Sequence, residues 1–449
     1  MRQTLFFIPD QVSGAPVFGW GLLIVIWLVA GAGILFFLLR RQGFNADTKS
    51  YLPVFVIVGL AIVFVLPNLV EAEQGLPIRS YGVLTMLAIM SAIILANYRA
   101  KFFGVSKETI YAFAFGFCVA GFIGARLFHV IEYWDIAYRK VNLDGSFDFF
   151  TTLTTILNVP QGGLVVYGSL IGGMIAFIYL VRRFHLSPLA FADFIAPSML
   201  LGLAIGRLGC LLNGCCFGGL CDMPWAVTFP GGSPPYNQQI ERGLAWGVQV
   251  GSSDTTVSTG FEGQIQDQPE ELKVLWRTPE LADRGVSFGE KIKRINNVEN
   301  PSRSQLWAIL NLNTERLDPV LLETKQGDIF SLPRLKLPER SRPIHPTQIY
   351  SSISAFLLCF FLLAYTPFRS RDGEVFGLMI TVYPLIRFLL EMIRIDEIGQ
   401  FGTGLSISQL VSISLLAGVA LYWAIILRQP SGTIRSIIDP TSADLENVR

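Results

Sequence analysis

The stretch FADFIAPSMLLGLAIGRLGCLLNGCCFGGLC (191–221) begins as a long apolar run and ends in a cluster of polar groups. The apolar part is long enough to cross a bilayer as a helix, which requires about 20 residues. Asp193 and Arg207 interrupt the run, and Asn213, several glycines and four of the six cysteines crowd its end. Because ionisable groups inside a membrane are costly unless they are paired or face a cavity, they mark candidate functional positions.

The rest of the chain repeats this apolar pattern. Hydrophobic residues make up 51% of the 449 residues, charged residues make up 15%, and the mean hydropathy is +0.49. These values predict an all-α polytopic membrane protein with about nine transmembrane helices. The formal net charge of +1 argues against nucleic acid as a partner. The nine apolar runs are Phe18–Leu39, Leu52–Val70, Tyr81–Tyr98, Ile110–Tyr133, Gly163–Val181, Leu189–Leu212, Tyr350–Tyr365, Phe376–Ile393 and Leu405–Leu427.

Basic residues predict the orientation of these helices. Lys and Arg follow the odd-numbered runs, as Arg40 and Arg41 follow the first and Arg182 and Arg183 follow the fifth. Because basic loops stay in the cytoplasm, we expect the N-terminus outside and the C-terminus inside the cell. The polar end of the stretch 191–221 then faces the outer leaflet.

One interval departs from the apolar pattern. Residues 232–343 hold 14 of the 35 Lys and Arg residues and 15 of the 34 Asp and Glu residues, which predicts a soluble extracytoplasmic insertion. LKVLWRT (272–278) and DIFSLPRLKL (328–337) alternate as β-strands do, and GVSFGEKIKRINNVEN (285–300) faintly resembles part of a PDZ domain. An irregular polar loop is the alternative to this β-rich module.

The composition therefore predicts five segments. They are two extra transmembrane helices in 1–75, a membrane core in 76–231 and 344–428, the insertion in 232–343, and a polar cytoplasmic tail in 429–449.

Two further apolar runs carry ionisable groups. They are Arg126, His129 and Glu132 in the fourth run, and Arg387, Glu391 and Arg394 in the eighth. The second set is spaced i, i+4 and i+7 and therefore lies on one face of a helix. Arg207 and Arg387 are suited to a phosphate, because a guanidinium stays charged and bonds phosphate oxygens in pairs. The alternative is that the arginines reach the lipid headgroups and pair with Glu132 or Glu391.

Glycines mark the segment GGLVVYGSLIGG (162–173) as a place where another helix or a ligand approaches closely. Helix packing is a sufficient explanation for Gly172 and Gly173. It explains Tyr167 less well, because a hydroxyl inside an apolar run needs a hydrogen-bond partner.

The clustered cysteines have three interpretations. Cys210, Cys215, Cys216 and Cys221 lack the C-x-x-C spacing of zinc sites, so we expect no metal. A disulfide from Cys221 to Cys215 or Cys216 suits an oxidising outer face. Packing as small buried side chains is the third interpretation.

Short motifs then occur in an order that resembles the prolipoprotein diacylglyceryl transferases, bacterial inner-membrane enzymes that begin lipoprotein maturation. The motifs are IRSYG (78–82), GARLF (124–128), GGLVVYGSLIGG (162–173), DFIAP (193–197), GLAIGRLGCLLNG (202–214), TFPG (228–231), HPTQIY (345–350), LIRFLLEMIR (385–394) and SISQL (406–410). The resemblance implies transfer of the sn-1,2-diacylglyceryl group of phosphatidylglycerol to the thiol of a lipobox cysteine in a preprolipoprotein. It implies a thioether and glycerol 1-phosphate as products, membrane lipids as further partners, and no cofactor.

The resemblance also implies roles for individual residues. Arg207 and Arg387 match the arginines that hold the phosphate of phosphatidylglycerol. Four further residues are expected to bind phosphatidylglycerol, namely Tyr81, Asn213, Glu391 and Arg394. Asp193, Arg126 and His345 are expected to have supporting roles.

The base that deprotonates the substrate thiol stays open. Tyr167 stands where the family commonly has a histidine proposed for this role, and Cys210 and Cys215 replace an asparagine and a glutamate. Tyrosine with its usual pKa of about 10 is a poor base at neutral pH, although a neighbouring arginine would lower that pKa. Alternatively, Tyr167 orients a headgroup oxygen and the leaving phosphate takes the proton. His345 either assists or stabilises the turn before Pro346.

Two other functions fit the same sequence. A diverged phospholipid-dependent transferase would use another acceptor, and a non-catalytic membrane scaffold would bind lipid through its arginines. Arg207 and Arg387 together with Asp193, Asn213 and Tyr81 favour catalysis over binding alone.

Overall fold

The computed structural model describes residues 3–43, 46–70, 75–141, 146–158, 162–241, 248–252, 272–277, 283, 285–287, 289–300, 305, 309, 319–332, 338–394 and 405–429. The α-helices are α1 (Leu22–Gln42), α2 (Ala46–Leu60), α3 (Ser80–Phe103), α4 (Lys107–Glu132), α5 (Phe149–Leu157), α6 (Val166–Arg183), α7 (Pro188–Asn213), α8 (Pro234–Glu241), α9 (Thr347–Tyr365), α10 (Glu374–Glu391) and α11 (Ile407–Arg428). The strands are β1 (Thr4–Ile8), β2 (Gln11–Val12), β3 (Ala15–Pro16), β4 (Leu76–Arg79), β5 (Val248–Ser252), β6 (Leu272–Arg277), β7 (Ile292–Ile295), β8 (Val298–Glu299), β9 (Val320–Thr324) and β10 (Ile329–Leu332).

The prediction of a polytopic membrane protein is confirmed. Within the described residues, seven helices are long and apolar enough to span a membrane, namely Leu22–Arg41, Ser80–Phe103, Lys107–Glu132, Val166–Arg183, Pro188–Asn213, Thr347–Phe368 and Ile407–Arg428. The other two predicted runs are helical as well. The second forms α2 and continues through a π-helical turn (Ala61–Val65). The eighth forms α10, whose 18 residues include three charged ones, Glu374, Arg387 and Glu391.

The chain divides into two compact units, each described here by itself. The smaller unit is Arg2–Val83 with Pro160–Gly162, and the larger is Leu84–Val159 with Gly163–Arg449. In the smaller unit β1 pairs with β4, and the Trp27 indole donates to the carbonyl of Phe55 over 3.2 Å, which joins α1 to α2. The larger unit contains every candidate site residue except Tyr81.

Helix α7 is the most buried span of the larger unit. In its apolar stretch 56% of the residues are buried, whereas this share is 28% or less in each of the other spans. The helix begins at Pro188, whose fixed φ suits a first turn, and Phe194 and Leu200 are buried against the neighbouring helices. Ser352 of α9 donates to the carbonyl of Ala204 over 2.8 Å. Because α7 is surrounded, its polar residues must be satisfied within the protein.

Glycines set the distance between α4 and α6. A Cβ at Gly168 would lie 2.2 Å from the carbonyl oxygen of Gly124, and one at Gly172 would lie 2.0 Å from that of Ala120. At Gly173, such a Cβ would have no described atom from outside its own helix within 4 Å. The packing interpretation is therefore confirmed for Gly172 and wrong for Gly173.

The insertion is β-rich over its described residues. Strands form an antiparallel sheet in the order β10-β9-β7-β8, and β5 pairs separately with β6. LKVLWRT supplies β6 and the first half of DIFSLPRLKL supplies β10, while residues 333–337 lie outside the described residues. Val274, Leu322 and Leu332 are fully buried in a core of their own. The strand predictions are confirmed, and the PDZ resemblance stays a prediction.

The α4–α6 contact makes Gly168 a test of the packing. We expect Gly168→Ala to lower the thermal unfolding midpoint in detergent, because an added methyl group would force the helices apart at a cost of about 1–3 kcal/mol. Gly173→Ala is the matched control and should be neutral or slightly stabilising, since alanine favours a helix by about 1 kcal/mol over glycine. Equal effects of the two substitutions would contradict this packing.

Candidate active site

A sharp end of α7 positions the first group of candidate residues. Gly214 takes a left-handed φ of 79°, and the N–H groups of Gly214 and Cys215 both donate to the carbonyl of Cys210, over 2.9 and 3.1 Å. This arrangement closes the helix and turns the chain back on it. Asn213 is the last helical residue, and Arg207 lies about two turns earlier on α7.

A network of charged side chains forms where α10 ends. Arg387 forms an ion pair with Oε2 of the buried Glu391, and Nη1 of Arg394 lies 3.2 Å from the same oxygen. Arg387 Nη2 also donates to Ser408 Oγ over 2.8 Å, which ties the network to the first turn of α11. Arg387 and Glu391, four residues apart on α10, pair as their helical spacing predicts. Arg394 lies three residues beyond the end of α10 and reaches Glu391 from there, so the prediction of one shared helix face is wrong for Arg394.

Arg207 joins this network from α7. Its guanidinium is half-buried, and the groups that interact with its charge are Tyr383 of α10, the thiols of Cys210 and Cys216, and Arg394. Arg394 repels Arg207 electrostatically, and it pairs with the carboxylate of Glu391 that also pairs with Arg387. The two arginines that the sequence singled out belong to one charged site, and the expected pairing of Arg387 with Glu391 is present as well.

The loop that follows α7 is fixed by two other helices. Thr347 and Gln348, in the first turn of α9, donate to the carbonyls of Cys216 and Cys215 over 2.6 and 2.7 Å. The N–H of Gly219 donates to the carbonyl of Ile393, beyond the end of α10, over 3.0 Å. The site is therefore built on three helix ends that are joined by hydrogen bonds to the backbone of this loop.

Three cysteines of this loop converge. The sulfurs of Cys210, Cys215 and Cys216 all lie within 4.8 Å of one another. Thiol hydrogen bonds from Cys210 and Cys215, together with the charges of Arg394 and Arg207, lower the pKa of Cys216 against the opposing effect of burial. All six cysteines are free thiols, so the structure does not contain the disulfide from Cys221 considered above.

His345 lies beside the same loop. Its N–H donates to the carbonyl of Gly219 and its carbonyl accepts from the N–H of Gly218, over 2.9 and 3.1 Å. The ring Nδ1 is 3.4 Å from the hydroxyl of Tyr350. These backbone bonds favour the interpretation of His345 as a residue that stabilises the turn.

Asp193 lies at the opposite end of α7. It is fully buried, 14 residues before Arg207, which corresponds to about 20 Å along a helix. Its carboxylate accepts from the N–H groups of Gly373 and Phe376 over 2.8 and 2.7 Å and lies 3.5 Å from the Arg369 guanidinium. It therefore caps the start of α10 and does not belong to the charged site.

Arg126 is anchored on backbone carbonyls. Its guanidinium donates to the carbonyls of Thr155, Ile156 and Asn158 at the end of α5, and to that of Gly163, over 2.9 to 3.1 Å. A cation at a helix C-terminus is favourable, because the last carbonyls lack helical partners. Arg126 thus fixes the segment that leads into α6.

Two tyrosines complete the predicted set. Tyr167 occupies the first turn of α6 and is half-buried. Tyr81 occupies the first turn of α3, where 44% of its surface is exposed, and it belongs to the smaller unit.

Sequence reasoning overlooked the short polar residues that hold the site together. Ser408, Thr347 and Gln348 stand within the quoted motifs SISQL and HPTQIY, yet no charge or hydrophobic pattern singled them out. Their position in a first helical turn, where unpaired polar groups are common, is the signal that was available.

A sequence model of the prolipoprotein diacylglyceryl transferases matches residues 67–425. The chain belongs to this family. It is therefore a transferase of lipoprotein biosynthesis, built as a membrane protein.

Individual relatives agree with the family match, and each of the following is named phosphatidylglycerol–prolipoprotein diacylglyceryl transferase. The protein from Rhodopirellula baltica is 32% identical over 448 residues, which cover 93% of this chain and 87% of the relative. The protein from Clostridium tetani is 24% identical, covering 78% of this chain and 93% of the relative. The protein from Pseudomonas paraeruginosa is 34% identical, covering 35% of this chain and 56% of the relative.

The position of Asp193 generates a prediction about stability. We expect Asp193→Asn to cost about 3–5 kcal/mol, because it removes one partner of a buried ion pair. The folded fraction should bind phosphatidylglycerol with less than about a two-fold change, since distant sites act independently. Thermal unfolding and lipid titration by native mass spectrometry measure the two quantities. A folded variant that no longer binds the lipid would place Asp193 in the site after all.

Proposed function

We propose that the protein transfers the sn-1,2-diacylglyceryl group of phosphatidylglycerol to the thiol of a lipobox cysteine in preprolipoproteins. The products are a thioether and glycerol 1-phosphate. The observation that carries this proposal is the charged site formed by Arg207, Arg387, Glu391 and Arg394 where α7 and α10 end. The family membership supports the same reaction.

The charges of the site suit this chemistry. Three guanidinium groups and the carboxylate of Glu391 leave two positive charges, whereas a phosphodiester brings one negative charge. As the bond to the glycerol carbon breaks, the departing phosphate gains a second negative charge. Arginines that gain attraction as this charge grows stabilise the transition state more than the bound lipid, and such a difference accelerates a reaction.

Glu391 gives the arginines a defined geometry. Arg387 and Arg394 share its carboxylate, and long cationic side chains lose less conformational entropy on binding when they are already held. We assign Asn213 and Tyr81 to the lipid headgroup by their match to family positions. We assign positioning roles to Arg126, whose bonds fix the segment that leads into α6, and to His345, whose backbone bonds fix the loop after α7.

The proposed setting is the bacterial inner membrane. With the N-terminus outside and the C-terminus in the cytoplasm, the charged site would face the outer leaflet, where lipid and a secreted acceptor meet. The insertion would then lie outside the cytoplasm.

Removal of an arginine tests the phosphate assignment. We expect Arg207→Ala and Arg387→Ala each to reduce transfer by about 100-fold or more, since each removes a charge aimed at the leaving group. The measurement is the mass of the diacylglyceryl thioether formed from phosphatidylglycerol and a lipobox peptide in detergent. Arg183→Ala, at the exposed end of α6, controls for loss of a positive charge. Lipid binding without any product from the wild type would instead favour the scaffold function.

Substitution of Tyr167 tests its role as a base. We expect Tyr167→Phe to lower the transfer rate by less than about 10-fold, because an ordinary tyrosine is a poor base at neutral pH. The pH profile of the rate is the second readout. A loss above about 100-fold, with the rise of activity toward alkaline pH abolished, would identify the tyrosine as the base.

A further inference from the structure

Three thiols stand together beside the charged site without a role in the scheme above. The sulfurs of Cys210, Cys215 and Cys216 lie within 4.8 Å of one another. Within the described part of the chain, these three residues form the only cluster of at least three His, Cys, Asp or Glu side chains that could hold a metal ion. Spacing along the chain argued against such a site. That spacing does not reveal the proximity of the three sulfurs, because the chain reverses between Cys210 and Cys215.

The reversal is specific. Cys210 belongs to the last turn of α7, Gly214 ends the helix with a φ of 79°, and the Cys215 N–H returns to the Cys210 carbonyl. Cys216 then takes a φ of 59°, a left-handed conformation that non-glycine residues seldom adopt. Through these turns two adjacent cysteines face a third that lies five residues earlier.

The surrounding protein holds this conformation in place. Thr347 and Gln348, each 1% exposed, donate to the carbonyls of Cys216 and Cys215. Metal sites depend on such outer contacts, which orient the ligands before the ion arrives.

The distances fit a tetrahedral zinc site. With Zn–S bonds of about 2.3 Å, the sulfurs of such a site lie about 3.8 Å apart, which small movements of the three side chains would reach. Thiolates are preferred ligands of zinc. Three thiolates and Zn²⁺ carry one negative charge together, and the guanidinium groups of Arg207 and Arg394 are charged neighbours of the cluster.

We propose that Cys210, Cys215 and Cys216 bind Zn²⁺ and that the thiol of the acceptor peptide occupies its fourth position. Three protein ligands with one open position are typical of catalytic zinc sites, whereas structural sites are closed by a fourth ligand. The inference rests on the proposed function, because it is that reaction which brings a thiol to the charged site.

In the proposed reaction the ion would activate the acceptor thiol. A thiol that coordinates a metal loses its proton to water, so the acceptor becomes a thiolate without a side-chain base. The thiolate sulfur attacks the carbon of the diacylglyceryl group that bears the phosphate. A C–S bond forms there, and the bond from that carbon to the phosphate oxygen breaks, so that glycerol 1-phosphate leaves. The electron pair of the broken bond leaves with the phosphate oxygen toward Arg207. A neutral thioether is a weaker ligand than a thiolate, so the product leaves the metal.

Metal content tests the first half of the proposal. The full chain, purified in detergent under reducing conditions, should contain about one equivalent of zinc per protein, because a folded thiolate site retains the ion. Cys215→Ala and Cys216→Ala should each contain less than about one tenth of that amount. Cys118→Ser, on the exposed surface of α4, is the matched control and should retain the metal.

If those variants fold poorly, the metal site can still be tested on the wild-type protein. After removal of the metal by a chelator, it should take up one equivalent of Co²⁺ and show the absorption bands of tetrahedral cobalt with thiolate ligands. No metal in the wild type, no such bands, or a disulfide among the three cysteines would overturn the proposal.

A pair of peptides tests the second half. Addition of a lipobox peptide with its cysteine should intensify the thiolate-to-cobalt absorption, and the same peptide with serine should not. Equal spectra for the two peptides would overturn the proposal. Neither measurement needs turnover, so a failure of the zinc proposal can be distinguished from a failure of the proposed transferase function. Thioether formed by a metal-free protein contradicts only the zinc site, whereas metal and thiol binding without thioether contradicts only the transferase reaction.

Discussion

A charged side chain inside a membrane must be paired or face a polar cavity, and this constraint governs both ends of α7. At one end Asp193 accepts from the first turn of α10 and pairs with Arg369. At the other end Arg207 meets the network centred on Glu391. Because α7 and α10 are joined by charge at both ends, their relative position is defined over the full thickness of the apolar layer.

The two ends have different consequences. The carboxylate of Asp193 is saturated by backbone donors and a guanidinium, so that end is a joint between helices. Around Glu391 the positive groups outnumber the negative ones, which leaves attraction for an anion. An excess of positive charge in a half-buried place is what separates a ligand site from a structural ion pair. Here the excess lies beside the cluster of Cys210, Cys215 and Cys216.

Prediction from sequence succeeded where the signal was local. The apolar runs, the i, i+4 pair of Arg387 and Glu391, and the strands of the insertion follow from periodicity within a few residues. The site was predicted less completely, because Thr347 and Gln348 act through hydrogen bonds to a loop more than 130 residues earlier. Such bonds leave no periodic trace. The structural role of Asp193 was hidden for a related reason, since an aspartate in a span does not reveal which helix it caps.

The sequence by itself determined that this chain is a polytopic membrane protein of one enzyme family, with arginines on two helices as its charged centre. Composition and motif order carry that information. Only the tertiary structure decided which polar residues share a site. It separated Asp193 from Arg207, and it folded Cys215 and Cys216 back onto Cys210. The physical reason is that a left-handed turn after a helix reverses the chain, so spacing along the sequence stops measuring distance in space.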